Sequence, residues 1–303
     1  MNFIKDLLFM KYIKKPNINF LLKYKDELAD QKGNDQRNRI ISFKGKYWYV
    51  KTINDNSKKK NFDLLSYKLG KGWLNTPEVM LLTDSQRRIL SKKLFGEEEN
   101  IYLIRLAQDY SAKDLPIKNF TEAIASEIVF SIWIMRRDAH NSNRTIINGK
   151  IPIFFDMEVG FRRLDKKNEV MYDRFFQGGK DHGYVANWRL YYLNGLDHIH
   201  IKKLREMEFN KPLTLHPIES TEKFWRSVEF FRNKIENFSN DHLMELVYQS
   251  GLDGDTALKV HQRLIYSKNR LGESINHIKP ILESPSNNNE KLEKQNSLLQ
   301  GVH

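Results

Sequence analysis

Residues 119–137 limit the possible folds more than any other part of the sequence, because they are apolar on nearly every face of a helix. Ile124, Ile128 and Ile132 recur at helical spacing, and alanine, valine, phenylalanine and tryptophan occupy most positions between them. A helix that is hydrophobic almost all round is buried inside a domain. We therefore predict a buried central helix, which ends where polar residues take over from Arg136 onward.

The chain before this helix has mainly the pattern of strands. Residues 39–53 carry two runs of β-branched and aromatic residues on either side of residues 44–46, which predicts a β-hairpin. A helix is predicted over residues 62–69. Residues 77–82 and 101–106 have the pattern of two further strands, with a charged segment between them.

A second hairpin is predicted directly after the buried helix. Two apolar runs flank the pair Asn148-Gly149, which is a strong hairpin signal. Asp156 follows the second run, so we expect it at the mouth of this hairpin. Residues 157–185 show no steady period, and helical stretches are predicted near residues 219–249 and 253–280.

The composition excludes several kinds of protein. There is no cysteine, which rules out disulfides, cysteine-ligated metals and a thiol nucleophile. Residues 1–60 hold 15 lysines and arginines against 6 acids, and so +9 of the net charge of +12. This excess suits a polyanion such as nucleotide phosphates, nucleic acid or an anionic membrane. No apolar stretch approaches the roughly 20 residues that cross a bilayer, and we expect a soluble, cytoplasmic protein.

Four residues have the types and the order that phosphoryl transfer from ATP requires. That reaction needs a cation for the phosphates, metal ligands, and an acceptor near the attacking hydroxyl. Asp138 and Asn143 have the spacing of the last two groups, and Asp156 follows after one hairpin. Mg²⁺ prefers such oxygen ligands. Lys51, on a predicted strand, supplies a cation, and the joint order of these elements favours a kinase-like site.

At these residues the sequence resembles the protein-kinase-like superfamily, in particular the branch of phosphoinositide 3/4-kinases and HipA-like bacterial kinases. Residues 138–143, Asp-Ala-His-Asn-Ser-Asn, are similar to the catalytic loop of that branch, and residues 155–158 stand where the family has Asp-Phe-Gly. Residues 49–52 resemble the strand of the ATP-binding lysine, and residues 103–106 stand where a hinge contacts adenine. The resemblance covers about residues 20–280.

The resemblance implies a two-lobed α+β fold. A small, mostly β N-lobe would occupy residues 20–107 and bind the nucleotide. A larger, mostly α C-lobe would occupy residues 108–282 and carry the catalytic groups. A basic segment, residues 1–19, precedes them, and residues 283–303 are expected to form a disordered tail.

The resemblance also implies the chemistry of the site. Lys51 would bind the ATP phosphates, and Asp138 would orient or deprotonate the acceptor hydroxyl. His140 would lie near the transferred phosphate. Asn143 and Asp156 would hold Mg²⁺.

Three more residues complete the expected nucleotide site, and some positions depart from the family pattern. Arg105 and Leu106 belong to the hinge. Asp63 stands where a lysine-pairing glutamate is expected, so the carboxylate here is shorter. Ala139 replaces the usual arginine, and residues 157–158, Met-Glu, replace Phe-Gly.

The acceptor of the phosphate stays open at this point. The HipA-like resemblance favours a serine or threonine of a protein. The basic N-terminal region and the phosphoinositide-like catalytic loop suit a lipid or small-molecule kinase. A lipid kinase of this family needs basic residues in residues 157–185, but acids in that segment offset most of their charge. A pseudokinase, or a basic protein that binds nucleic acid or anionic lipid through Tyr47, Trp48 and Tyr49, is the remaining alternative.

Overall fold

The computed structural model describes residues 39–43, 46–53, 58–106, 109–136, 144–147, 151–155, 157–161, 164–171 and 220–283. Within these ranges the chain combines a four-stranded antiparallel sheet, a separate β-hairpin and seven α-helices. The protein is therefore a mixed α and β structure with a small sheet. The predicted segment 1–19 and the predicted tail beyond residue 283 lie outside the described ranges.

The sheet consists of β1 (Arg39–Phe43), β2 (Lys46–Thr52), β3 (Val79–Met80) and β4 (Ile101–Arg105), in the order β1-β2-β4-β3. The antiparallel pairing of β1 with β2 confirms the first predicted hairpin. The strand predicted over residues 77–82 is shorter than expected, since only Val79 and Met80 pair with β4; Pro77 has no N–H with which to extend the ladder at its first end.

The helix α1 (Lys59–Gly70) follows the second strand and is longer than the predicted residues 62–69. Its buried side chains Phe62, Leu65 and Leu69 recur at helical spacing. They belong to the same apolar core as the C-terminal helices. The predicted N-lobe, residues 20–107, includes α1, but the apolar face of α1 packs against the core formed by α3 and the C-terminal helices.

The charged segment between the third and fourth strands is a helix that the sequence analysis missed. This helix, α2 (Asp84–Phe95), begins with a capping box in which Thr83 accepts from the backbone N–H of Gln86 and Gln86 accepts from that of Thr83. It ends at Gly96, whose φ of 82° is the left-handed conformation that favours glycine. Leu90 of α2 packs against the sheet core.

The central helix α3 (Phe120–Trp133) is buried on all sides, as predicted. Every residue except Glu122 is buried. Its N-cap is Asn119, whose side chain accepts from the backbone N–H of Glu122 at 3.1 Å. The side chain of Trp133 donates to the carbonyl of Leu264 at 3.0 Å and so joins α3 to the C-terminal helices.

The predicted second hairpin is confirmed. Its strands are β5 (Arg144–Ile147) and β6 (Ile151–Phe154), paired so that Ile147 lies opposite Ile151. Buried Asn75 fixes its position: the side-chain amide of Asn75 donates to the carbonyl of Pro152 at 3.0 Å, and the backbone carbonyl of Asn75 accepts from the N–H of Phe154 at 2.8 Å. A short 3-10 helix (Met157–Phe161) follows.

Each of the two predicted C-terminal helical stretches divides into two helices. These are α4 (Thr221–Glu236), α5 (Asn240–Tyr248), α6 (Gly254–Asn269) and α7 (Leu271–Glu283). Ser220, Ser239 and Asp253 cap the first three, each accepting from the backbone N–H three residues later. Their apolar faces close around α3. Among the residues described, no helix combines the length and apolar character needed to span a membrane.

Candidate functional site

The structure brings Lys51 and Asp63 together, as the resemblance implies. Lys51 lies on β2 and Asp63 on the first turns of α1, and the lysine Nζ is 3.8 Å from Asp63 Oδ2. The side chain of Asp63 is 7% exposed and that of Lys51 is 19% exposed. An acid from the helix therefore faces a partly accessible ammonium on the strand.

A third residue, Tyr102, joins this pair, and the sequence analysis did not identify it. Tyr102 lies on β4 directly opposite Lys51 in the ladder. Its hydroxyl donates to Asp63 Oδ2 at 2.5 Å, and Lys51 Nζ is 5.9 Å from the centre of its ring. Residues directly opposite each other in a ladder share a face of the sheet, so the register of β2 with β4 would have identified Tyr102.

The side chain of Arg105, which the resemblance places in the hinge, is held by contacts within the fold. It is 7% exposed and binds Asp109 at 2.9 Å, with its guanidinium over the ring of Tyr110. Burial disfavours its charge, but Asp109, Tyr110 and Asp114 outweigh burial and raise the pKa of Arg105. These contacts give the side chain a structural function at the end of β4.

The backbone at the predicted hinge is also largely engaged in the fold. The N–H of Arg105 donates to the carbonyl of Glu78, and the N–H of Leu106 donates to that of Tyr47, both at 2.9 Å. An adenine at this position would therefore contact carbonyl oxygens, or residues 107–108, which lie outside the described ranges.

The other four predicted site residues, Asp138, His140, Asn143 and Asp156, lie outside the residues that the structure describes. No group of acids and histidines suited to a metal occurs among the described residues. The Mg²⁺ ligands predicted at 143 and 156 stay a prediction.

The described residues that flank Asn143 and Asp156 lie side by side. In the second hairpin, Arg144 lies opposite Phe154. Asn143 precedes Arg144 in the sequence, and Asp156 comes two residues after Phe154. The open end of the hairpin is therefore the point from which both predicted metal-binding segments continue.

A buried ion pair connects the end of α3 with this hairpin. Arg136 Nη1 donates to Glu127 Oε1 at 2.9 Å, and Arg136 Nη2 donates to the carbonyl of Phe155 at 2.8 Å. Ser131 also donates to Glu127, at 3.1 Å. Arg136, the last described residue before the predicted catalytic loop, is thus bonded to Phe155, the residue before Asp156. No local sequence pattern predicts this long-range contact.

The helix α3, which leads to the predicted catalytic loop, ends earlier than predicted. The residue type at its end is unusual for that position. The predicted helix reached residue 137, but Met135 has a φ of 55° and stops it. The N–H of Arg136 donates to the carbonyl of Ser131, and that of Met135 to that of Ile132. This is the Schellman arrangement, which usually has glycine at the left-handed position.

The 3-10 helix packs tightly beneath this turn. A Cβ on Gly160 would lie 2.5 Å from the carbonyl oxygen of Ile134, so only glycine fits without movement of the backbone. Phe161 stacks on Phe62 of α1 with ring centres 5.7 Å apart. The segment after Asp156 is therefore in contact with both α3 and α1.

The C-terminal helices hold α1 in place. The side chain of Asn61 donates to the carbonyls of Ser250 and Gly251 at 2.8 and 2.9 Å. Lys58, just before α1, pairs with Asp253 at 2.6 Å. The position of Asp63 thus depends on contacts that span most of the chain.

An open groove of about 400 Å³ lies between α1, the 3-10 helix and the start of α6. Lys58, Phe161 and Lys259 are among the residues that line it. None of the predicted nucleotide-binding residues contributes to it, so the groove is separate from the Lys51 cluster.

Comparisons with protein-family models, with curated proteins and with solved structures find no match for this chain. The argument for function therefore rests on the residues themselves: a half-buried cation on a strand, an acid on the next helix, and two predicted catalytic segments that start from one end of a hairpin.

Proposed function

We propose that this protein is an ATP- and Mg²⁺-dependent kinase that transfers the γ-phosphate to a serine or threonine hydroxyl of a protein. The observation that carries the proposal is the approach of Lys51 to Asp63 at 3.8 Å. In protein kinases a strand lysine holds the ATP phosphates while an acid of the following helix orients it. The proposal includes a two-lobed, kinase-like fold in a cytoplasmic protein, where ATP is available.

The remaining roles follow the sequence. Asp138 would orient the acceptor hydroxyl, and His140 would lie near the transferred phosphate. Asn143 and Asp156 supply the amide and carboxylate oxygens that Mg²⁺ prefers. The bound Mg²⁺ would neutralise charge on the phosphates. Arg136 supports this arrangement, since its bond to the carbonyl of Phe155 limits the separation of the two segments.

The first test is the thermal unfolding midpoint with and without Mg²⁺-ATP. Ligand at about 100 times its dissociation constant adds roughly 2.7 kcal/mol to the free energy of unfolding, which is a shift of several degrees for a chain of this size. We expect the wild-type protein to show this shift and Lys51→Met to lose it.

Lys46→Met is the matched control. Lys46 lies on the same strand and also pairs with an acid, Glu78, at 3.2 Å. This variant should keep the full shift with Mg²⁺-ATP. A wild-type protein that no nucleotide stabilises would overturn the proposal.

The second test is transfer of labelled phosphate to protein. Asp138→Ala and Asp156→Ala should abolish it, and undiminished transfer by both would refute their assignment. Transfer to phosphoinositide vesicles with none to protein would identify a lipid kinase instead. Nucleotide binding without transfer to either acceptor would identify a pseudokinase.

A further inference from the structure

We propose that Tyr102 is a positioning residue of the nucleotide site, which acts by holding Asp63 in the orientation that faces Lys51. This inference rests on the proposed kinase function and adds a residue to its site. The hydroxyl of Tyr102 is closer to Asp63 Oδ2 than the ammonium of Lys51 is, at 2.5 Å against 3.8 Å.

Three separate elements meet at this point. Lys51 and Tyr102 occupy opposite positions on β2 and β4, and so lie on one face of the sheet. Asp63 reaches that face from α1. Both Tyr102 and Asp63 are buried, at 0% and 6% exposure. A hydrogen bond between a neutral donor and a buried carboxylate is short and strong, so the orientation of Asp63 depends on Tyr102.

The length of the acid explains why a second partner is needed. Aspartate has one methylene less than the glutamate that the family pattern places here. At 3.8 Å the ammonium and the carboxylate attract each other but are beyond hydrogen-bonding distance. Tyr102 supplies a fixed bond to the shorter carboxylate and keeps it directed towards the sheet. A buried carboxylate without such a donor is costly.

This arrangement also affects the lysine. An ammonium that stays at ion-pair distance from its acid can approach a phosphate without first breaking a close hydrogen bond to that acid. If the hydroxyl is removed, Asp63 loses the short hydrogen bond that directs it towards the sheet, and the position of Lys51 relative to the phosphates is less well defined. We therefore expect weaker binding of Mg²⁺-ATP.

The test is the dissociation constant of Mg²⁺-ATP, measured by calorimetric titration of the full chain. Tyr102→Phe should bind about tenfold more weakly, because the orientation of Asp63 and Lys51 that binds the phosphates is then populated only part of the time. Tyr110→Phe is the matched control, because Tyr110 is also buried and its hydroxyl accepts from the N–H of Glu78 at 2.6 Å. This control should bind as tightly as the wild-type protein.

A double-mutant cycle separates positioning from a general structural role. If Tyr102 acts through Asp63, then Tyr102→Phe combined with Asp63→Asn should bind no more weakly than Asp63→Asn alone. Wild-type affinity in Tyr102→Phe, or additive losses in the double variant, would overturn the role of Tyr102 and leave the kinase proposal intact. Absence of nucleotide binding by the wild-type protein would overturn both.

Discussion

Two ion pairs, one in the helical core and one beside the sheet, differ in almost every physical respect. In the core, Glu127 and Arg136 are 2.9 Å apart, their side chains are at most 2% exposed, and further hydrogen bonds surround them. Beside the sheet, Lys51 and Asp63 are 3.8 Å apart, and the lysine is 19% exposed. The first pair is enclosed by its own helix and hairpin, and the second keeps an ammonium within reach of solvent.

The difference separates two uses of charge in one molecule. A fully enclosed pair must be complete, because a buried charge without its partner is strongly destabilising. In the pair beside the sheet only the ammonium of Lys51 is partly solvated, while the buried carboxylate of Asp63 also accepts from Tyr102, so we expect this pair to contribute less to stability. We infer that the core pair fixes the chain, whereas the partly exposed ammonium beside the sheet is compatible with the proposed role in binding.

The largest effect is expected in the core. Glu127→Met leaves the guanidinium of Arg136 buried without its carboxylate, and should lower the free energy of unfolding by about 3–5 kcal/mol. Chemical denaturation in urea measures this loss. Adding Arg136→Met should recover part of it, because the unpaired charge is then removed. A double variant as unstable as the sum of both single changes would contradict this account.

A much smaller effect is expected beside the sheet. Lys51→Met should lower the free energy of unfolding by less than about 1 kcal/mol, since the ammonium is partly solvated and Tyr102 still donates to Asp63. The same urea titration measures it, with Lys46→Met as the reference. A loss as large as that of Glu127→Met would show that this pair is also structural, and would remove the contrast between the two regions.

The smallest effect is expected at a third pair, Lys58 with Asp253, which is about half exposed on both sides. Hydrogen bonds from Lys58 and Thr256 lower the pKa of Asp253. A carboxylate with a lowered pKa stabilises the fold above the ordinary aspartate pKa of about 4, and this contribution is lost as the pH falls below that value.

Asp253→Asn tests this, because asparagine caps α6 as well as aspartate does. Its melting temperature should be slightly below that of the wild-type protein at pH 7. The difference should shrink as the pH falls from about 4 and also in about 1 M salt, which screens exposed pairs. A difference that persists in acid would mean that the charge of Asp253 has no role.

The elements that local patterns specify could be predicted from the sequence. The pair Asn148-Gly149 predicted the second hairpin, and the all-round apolar pattern predicted the burial of α3. The helix α2 was missed because its charged residues mask its period, although Thr83 and Gln86 have the spacing of a capping box. The end of α3 was misplaced because a methionine occupies the left-handed position where glycine is the usual signal.

The candidate site was less predictable because its contacts are long-range. Lys51 and Asp63 were placed by their resemblance to a family pattern. Tyr102 depends on the register of two strands that are separated by about 50 residues of chain. The role of Arg136 depends on a hydrogen bond to the carbonyl of Phe155. Because the acceptor is a backbone atom, this contact has no signature in the sequence.

The burial of α3 also has a consequence for how the chain is made. The apolar helix of 14 residues is synthesised well before the four C-terminal helices that cover it. At about 5–20 residues per second, the ribosome needs roughly 8–30 s to proceed from residue 133 to residue 283. Throughout that interval the isoleucine, phenylalanine and tryptophan side chains of α3 lack the partners that the C-terminal helices supply. We expect chaperones to bind the nascent chain at this segment and to leave it once α7 has been translated.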